Sequence, residues 1–239
     1  MTDIAGNIEK VRDQIAEAAS QAGRPADSVK LMLAAKYQPL ENLEAAVAAG
    51  VTLFGHNIVQ QLVTASTGLA AAGIATTNTV IGPVQSNKMR AAMDHASRID
   101  TVDSVKAATR IARRQAARIA DGAPAEPFPI LLQVNSADAS TQSGCAPAAL
   151  LEIASEISEL ELVRIDGLMT IGANTDDLAA IHQSFQLTRE LGEQLRKLPG
   201  LAGATELSMG MTHDLAIAVA EGSTVVRVGT AVFGPRPRP

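Results

Sequence analysis

The sequence predicts an α/β fold, a single (β/α)8 TIM-type barrel with an extra N-terminal helix, on three observations. Short apolar stretches of strand length recur eight times along the 239 residues. Segments of helical period separate them. With the leading helix set aside, the repeat is roughly 26 residues per strand–helix unit, a spacing that such a barrel accommodates. A doubly wound open sheet needs fewer strands and usually a Gly-rich first turn, which Ala35-Lys36-Tyr37-Gln38-Pro39 is not.

The leading helix rests on Ile4, Ile8, Val11, Ile15, Ala19 and Ala22, which recur at spacings of three and four until Gly23 and Pro25 end the run. The strands are predicted at 30–35, 51–54, 79–81, 98–102, 128–134, 163–169, 204–208 and 224–230. Between the later ones, Leu150, Ala154 and Ile157 form one apolar stripe and Leu178, Ile181, Phe185, Thr188, Leu191 and Leu195 another. The Pro-rich stretch 122–129 reads as a loop before the fifth strand. Neither a low-complexity linker nor a composition shift divides the chain, so one domain is expected over 1–239.

Composition narrows the function. A hydrophobic fraction of 46% can fill a core, which rules out wholesale disorder. Twenty Lys and Arg against 25 Asp and Glu leave a net charge of −5, which argues against general nucleic-acid binding. Four Phe, one Tyr and no Trp argue against a base-stacking platform. The single cysteine, Cys145, allows no internal disulfide and no cysteine-rich metal site; it is read as structural. His56, His95, His182 and His213 have no metal-ligand spacing. With no apolar run near the roughly 20 residues of a membrane span and no signal-peptide pattern, the expectation is a cytoplasmic protein without membrane or nucleic-acid partners.

In a parallel barrel the chemistry gathers where strands finish and loops begin. Of the chain's six lysines, only Lys36 closes an apolar strand. Alternation puts Met32, Ala34 and Lys36 on one face. If that face is the barrel interior, the partly desolvated amine is a competent Schiff-base nucleophile; a lysine merely reaching solvent is the plainer alternative. The last strand supplies Arg227, costly in an apolar strand unless paired or facing a polar ligand, followed by Gly229 and Thr230. With Ser208, Met209 and Gly210 at the end of the seventh strand, these suggest a phosphate site. Met209 is assigned to the pocket, with core packing as its plainer reading. Arg110, Arg114 and Arg118, spaced i, i+4, i+8, are read as a solvated face.

These residues resemble one family across nearly the whole chain: the single-domain pyridoxal 5′-phosphate (PLP) homeostasis proteins, related to the barrel domain of bacterial alanine racemase. The resemblance is carried by Ala35-Lys36, Phe54-Gly55-His56-Asn57, the run 81–88, Leu131-Leu132-Gln133-Val134-Asn135, Gly167-Leu168-Met169, the run 207–211, and 221–234. It implies PLP as cofactor, with Lys36 as the Schiff-base lysine. It also implies that Ser208, Gly229 and Thr230 hold the phosphate, that Arg227 faces the pyridine nitrogen, and that Asn57 and Met169 line the pocket. The chain departs from the family pattern at Ala35, Tyr37, Gln38 and His56, and at Asn78-Thr79-Val80, where an aromatic–His pair is usual.

The resemblance implies a role in PLP homeostasis, with PLP-dependent apoenzymes as partners of a monomer. Two features favour a carrier over an enzyme. A racemase needs a second acid/base, a tyrosine from a further domain, and the only tyrosine here is next to Lys36, where strand alternation would point it away. An arginine at the pyridine nitrogen also weakens the electron sink that carbanion chemistry uses. The alternatives are a fold-type III racemase, a Schiff-base aldolase, or a phosphate-sugar binding barrel that would leave Lys36 unexplained.

Overall fold

A computed structural model describes residues 2–235. Its frame is eight parallel strands closed into a barrel in chain order: β1 (Lys30–Ala34), β2 (Leu53–His56), β3 (Thr77–Val80), β4 (Arg98–Val102), β5 (Phe128–Gln133), β6 (Val163–Met169), β7 (Glu206–Ser208) and β8 (Val225–Val228). The closure is the β1–β8 pairing, in which Lys30 faces Val225 and Met32 faces Arg227. The expected (β/α)8 architecture is therefore present. The limits of β4 and β6 match the sequence expectation and the other strand ends differ from it by at most two residues; β8 stops at Val228, and Thr230 already opens a helix.

The helices are α1 (Ile4–Gln21), α2 (Leu40–Ala48), α3 (Val59–Ala71), α4 (Met89–His95), α5 (Val105–Ala120), α6 (Leu150–Ser158), α7 (Leu178–Leu195), α8 (Leu215–Ala220) and α9 (Thr230–Phe233). The extra helix α1 is capped by Asp3, whose carboxylate accepts from the Gly6 N–H at 2.9 Å. It buries Ile4, Ile8, Val11 and Ile15, each worth roughly 1.5–3 kcal/mol against exposure. That stripe joins the core shared with Leu33, Val226, Val228 and Phe233, so α1 seals the seam where β1 meets β8. Arg12 donates to the carbonyls of Ala49 and Gly50, and Arg24 to those of Val219 and Ser223. Each thereby satisfies carbonyls at or just beyond a helix C-terminus.

Strand alternation divides most of the barrel residues, with register shifts in the β4–β5 and β5–β6 pairings. Leu33, Phe54, Val226 and Val228 pack outward under helices, as do Val80, Ile99, Ile130, Leu132, Ile165 and Leu168 on the other half. The opposite parity faces the interior, where a Cβ on Gly55 would lie 2.8 Å from Met32 Sδ and 2.7 Å from Ile81 Cδ1. Glycine at 55 is what lets those side chains fill the barrel. Charges also occupy this interior: Arg98 and Asp100 from β4, Glu206 from β7 and Arg227 from β8.

The α4–α5 surface differs from expectation. Arg110 is exposed, but Arg114 and Arg118 turn onto one carboxylate, with Arg118 Nε 3.2 Å and Arg114 Nη2 3.7 Å from Asp94. The i, i+4 spacing gave a shared face, and α4 supplies the acid that covers part of it.

Candidate cofactor site

The site begins where β1 stops. After Ala34 the chain turns, and Tyr37 adopts φ +61°, a left-handed conformation that costs a non-glycine residue roughly 1–2 kcal/mol. A hydrogen bond from the Tyr37 N–H to Gln61 Oε1 at 3.1 Å helps hold the turn. Strand alternation therefore lapses before Lys36, and the expectation that Tyr37 points away from it fails. Lys36 Nζ lies 5.2 Å from the centroid of the Tyr37 ring, a cation–π contact at the edge of the site. Lys36 is half-buried, and Tyr37 is half-exposed.

Lys36 opens into a cavity of about 220 Å³ at the C-terminal end of the strands. Arg227, Gly229 and Thr230 line it from β8 and the turn beyond, and Met211, Thr212 and His213 from the loop after β7. That loop is shaped by Asp214, whose Oδ1 accepts from the Met211 N–H at 2.5 Å. It starts at Gly210, φ +93°, where a Cβ would lie 2.4 Å from that of Ala218. Only glycine lets the loop pass so close to α8.

Arg227 forms the floor. It is 6% exposed and donates through Nη1 to the Ser208 carbonyl at 2.5 Å and the Ser208 hydroxyl at 2.8 Å, and through Nη2 to the Thr170 carbonyl at 2.6 Å. These partners are neutral. Burial pulls the guanidinium below its ordinary value, while the charges of Asp100 and Asp214 push the other way. Burial likewise raises the Asp214 carboxyl, opposed by the Met211 N–H and the Arg227 charge.

Beneath Arg227 the interior charges alternate toward the other barrel end. Arg98 grips Asp100 with Nε on Oδ1 at 2.6 Å and Nη2 on Oδ2 at 3.2 Å, and reaches across to Glu206 Oε2 at 2.5 Å. Lys30 caps the row, 3.2 Å from Glu206 Oε1. Asp100 is fully buried, and burial pushes its carboxyl up to about 6 against the lowering influence of Arg98 and Arg227. For Arg98, burial would lower the value, but the charges and hydrogen bonds of Asp100 and Glu206 outweigh it and leave it raised.

Of the residues singled out from the sequence, the structure brings Lys36, Arg227, Gly229 and Thr230 to one cavity. Ser208 is fully buried beneath it on Arg227. Met169 and Met209 are buried, Met209 within the hydrophobic core, and neither lines the cavity. Asn57 follows β2, where its backbone abuts Gly82, and is also outside the cavity lining. Cys145 is buried, and burial pushes its thiol up to about 11, the environment of a structural cysteine. Sequence reasoning missed His213 and Thr212 as lining residues and passed over Arg98, Asp100 and Glu206. Arg98 and Asp100 carried a signal: they are two apart in one strand, so alternation puts both on one face. Among the described residues no helix is long and apolar enough to cross a membrane.

The donor set suits a small anionic aldehyde: a primary amine, a guanidinium with N–H groups to spare, and a Gly–Thr turn with an exposed hydroxyl. Comparison with known proteins agrees with this chemistry. Residues 7–237 match the family model described as alanine racemase, N-terminal domain. The pyridoxal phosphate homeostasis protein of Pasteurella multocida is 38% identical over 98% of this chain and 97% of its own length. That of Pseudomonas aeruginosa is 39% identical over 99% of this chain and 97% of its own. The solved structure of PipY from Synechococcus elongatus with PLP bound has a TM-score of 0.78 and 33% identity, covering 92% of this chain and all of that one. The chain belongs to the alanine racemase N-terminal domain family, among its pyridoxal phosphate homeostasis proteins.

Proposed function

We propose that this protein binds PLP in the cavity between Lys36 and Thr230 and acts in PLP homeostasis, holding the cofactor and releasing it to apoenzymes in the cytoplasm. PLP brings an aldehyde that condenses with a primary amine, a ring nitrogen that accepts a hydrogen bond, and a phosphate dianion. Lys36 is the amine at the cavity wall. Gly229 and Thr230 receive the phosphate through backbone N–H and hydroxyl groups, and Arg227 meets the ring nitrogen. Ser208 acts beneath the cavity by holding Arg227, and Met169 packs the barrel interior under the ring.

The observation that carries this reading is the convergence of Lys36 with Arg227, Gly229 and Thr230 on one cavity at the strands' C-terminal end. Binding rather than turnover is supported by Arg227 at the ring end, which disfavours protonation of the ring nitrogen and so weakens PLP as an electron sink. The names of the relatives agree. Tyr37, which stacks on Lys36, does not line the cavity. The test incubates the PLP-loaded protein with L- and D-amino acids in deuterated water and, separately, with an apoenzyme. Slow or absent α-proton exchange together with recovery of the apoenzyme's activity supports the reading. Exchange at several per second, abolished in Lys36→Ala, would make the protein an enzyme, since typical turnover is about 1–10³ per second.

A further inference from the structure

We propose that Tyr37 is a positioning residue whose ring holds the Lys36 ammonium at the edge of the cavity when no cofactor is bound, and so loosens the protein's hold on PLP. This rests on the reading that Lys36 is the residue that takes up PLP.

The backbone singles out Tyr37. Its φ of +61° lies in the left-handed region, which among the described residues only Asp138 shares outside glycine. Tyr37 stands third in a turn that the Gln38 N–H closes on the Ala35 carbonyl at 3.2 Å, a position where glycine or asparagine is usual for that φ. Strain of this kind concentrates at ligand sites and switch regions. Here the turn brings together two neighbouring side chains that a continued strand would separate. Lys36 Nζ lies 5.2 Å from the ring centroid, within the roughly 6 Å over which an aromatic face attracts an ammonium. Among the described residues no carboxylate pairs with Lys36, so the ring is what holds its charge.

Lys36 lines the cavity and Tyr37 does not. Nζ therefore has two positions, one against the ring and one turned to a ligand in the cavity. The ring is the fixed partner. Its backbone is tied to Gln61 of α3, and the side chain borders the groove between α2 and α3 with Leu40. Joining Lys36 to an aldehyde needs the neutral amine: the ammonium gives a proton to water, Nζ adds to the aldehyde carbon, and the carbonyl oxygen leaves as water when the C=N bond forms. The ring favours the ammonium alone. Each uptake breaks the contact and each release restores it, which shifts the equilibrium toward release by roughly 2–5-fold for a contact at an exposed site.

The test compares wild type with Tyr37→Phe, which keeps a ring, and Tyr37→Leu, which keeps an apolar side chain without one. On the apoprotein, formaldehyde with cyanoborohydride labels the lysines at neutral pH, and mass spectrometry reads Lys36 against the exposed Lys106. The ratio should rise roughly 2–5-fold in Tyr37→Leu and keep its wild-type value in Tyr37→Phe. In a PLP titration followed by absorbance, the dissociation constant should fall by the same factor in Tyr37→Leu alone. An unchanged ratio or affinity in Tyr37→Leu, a weaker affinity, or equal changes in both variants overturns the proposal. If Tyr37→Leu does not fold, Tyr37→Asn, which accepts left-handed backbone and has no ring, carries the same expectations. Its failure to fold would make the ring a structural requirement and also overturns the proposal. A wild-type protein that takes up no PLP on Lys36 removes the reading of the site along with this proposal. Uptake on Lys36 with an affinity unmoved in Tyr37→Leu removes the proposal alone.

Discussion

The buried Arg98–Asp100 pair allows a stability experiment on the apoprotein with a definite sign. Burial pushes the Asp100 carboxyl up to about 6 in the fold, against its ordinary 3.8 in the open chain. The folded value is raised, so the contribution favouring the fold is fully present below the unfolded value and is lost as pH rises through the folded one. The difference of about 2 units corresponds to roughly 3 kcal/mol at about 1.36 kcal/mol per unit, of which about 2 kcal/mol falls between about pH 4.5 and about pH 7.5. Asp100→Asn imitates the protonated carboxyl at every pH. Relative to wild type it should therefore gain on the order of 2 kcal/mol across that window, or roughly 4–8 °C in Tm for a domain of this size. A competing effect opposes this, since removing one partner of a buried pair can cost about 3–5 kcal/mol by stranding the other charge. Here Arg98 keeps Glu206, with 12% of its side chain exposed, and the buried Arg227 keeps the charge of Asp214 and its hydrogen bonds to Ser208 and Thr170, so neither cation is stranded. Comparing urea unfolding of the two apoproteins at several pH values isolates Asp100, because other carboxylates titrate alike in both. A variant that instead loses stability against wild type as pH rises would refute the reasoning and make the pair a net stabiliser.

Two further outcomes follow from the geometry. Thr230→Val removes one hydroxyl from the cavity with little change of shape. A charge-assisted hydrogen bond worth about 1.5–3 kcal/mol makes the expected loss of PLP affinity about tenfold or more, read by a fluorescence titration; unaltered affinity counts against this phosphate placement. Cys145, buried with its thiol pushed up to about 11, should react with an aromatic disulfide reagent at neutral pH only after unfolding. Rapid reaction of the native protein would mean that this part of the barrel opens readily.

Much of this was legible because a barrel strand leaves strong local marks. The β4 limits at Arg98 and Val102 match the sequence expectation, and α1 is readable from a stripe that Gly23 ends. That Lys36, Arg227, Gly229 and Thr230 come to one cavity was legible because barrel closure brings the ends of β1 and β8 together. The errors arise where one residue's backbone or a distant partner decides. The left-handed turn at Tyr37 cancelled the alternation that would have separated it from Lys36. Asp94 pairs with Arg118 from another helix, which periodicity within α5 cannot reveal. Arg98 and Glu206 meet across the barrel, 108 residues apart, so each alone reads as a surface charge. Met209, for which core packing was the plainer reading, is buried in the core.

The central claim is that Lys36 is the residue that takes up PLP. Incubating the protein with PLP, reducing with borohydride and mapping the peptides by mass spectrometry tests it most directly. The account expects one pyridoxyl group on the peptide containing Lys36, and none on that peptide in Lys36→Ala. A label on Lys88 instead, or on no lysine, would contradict it.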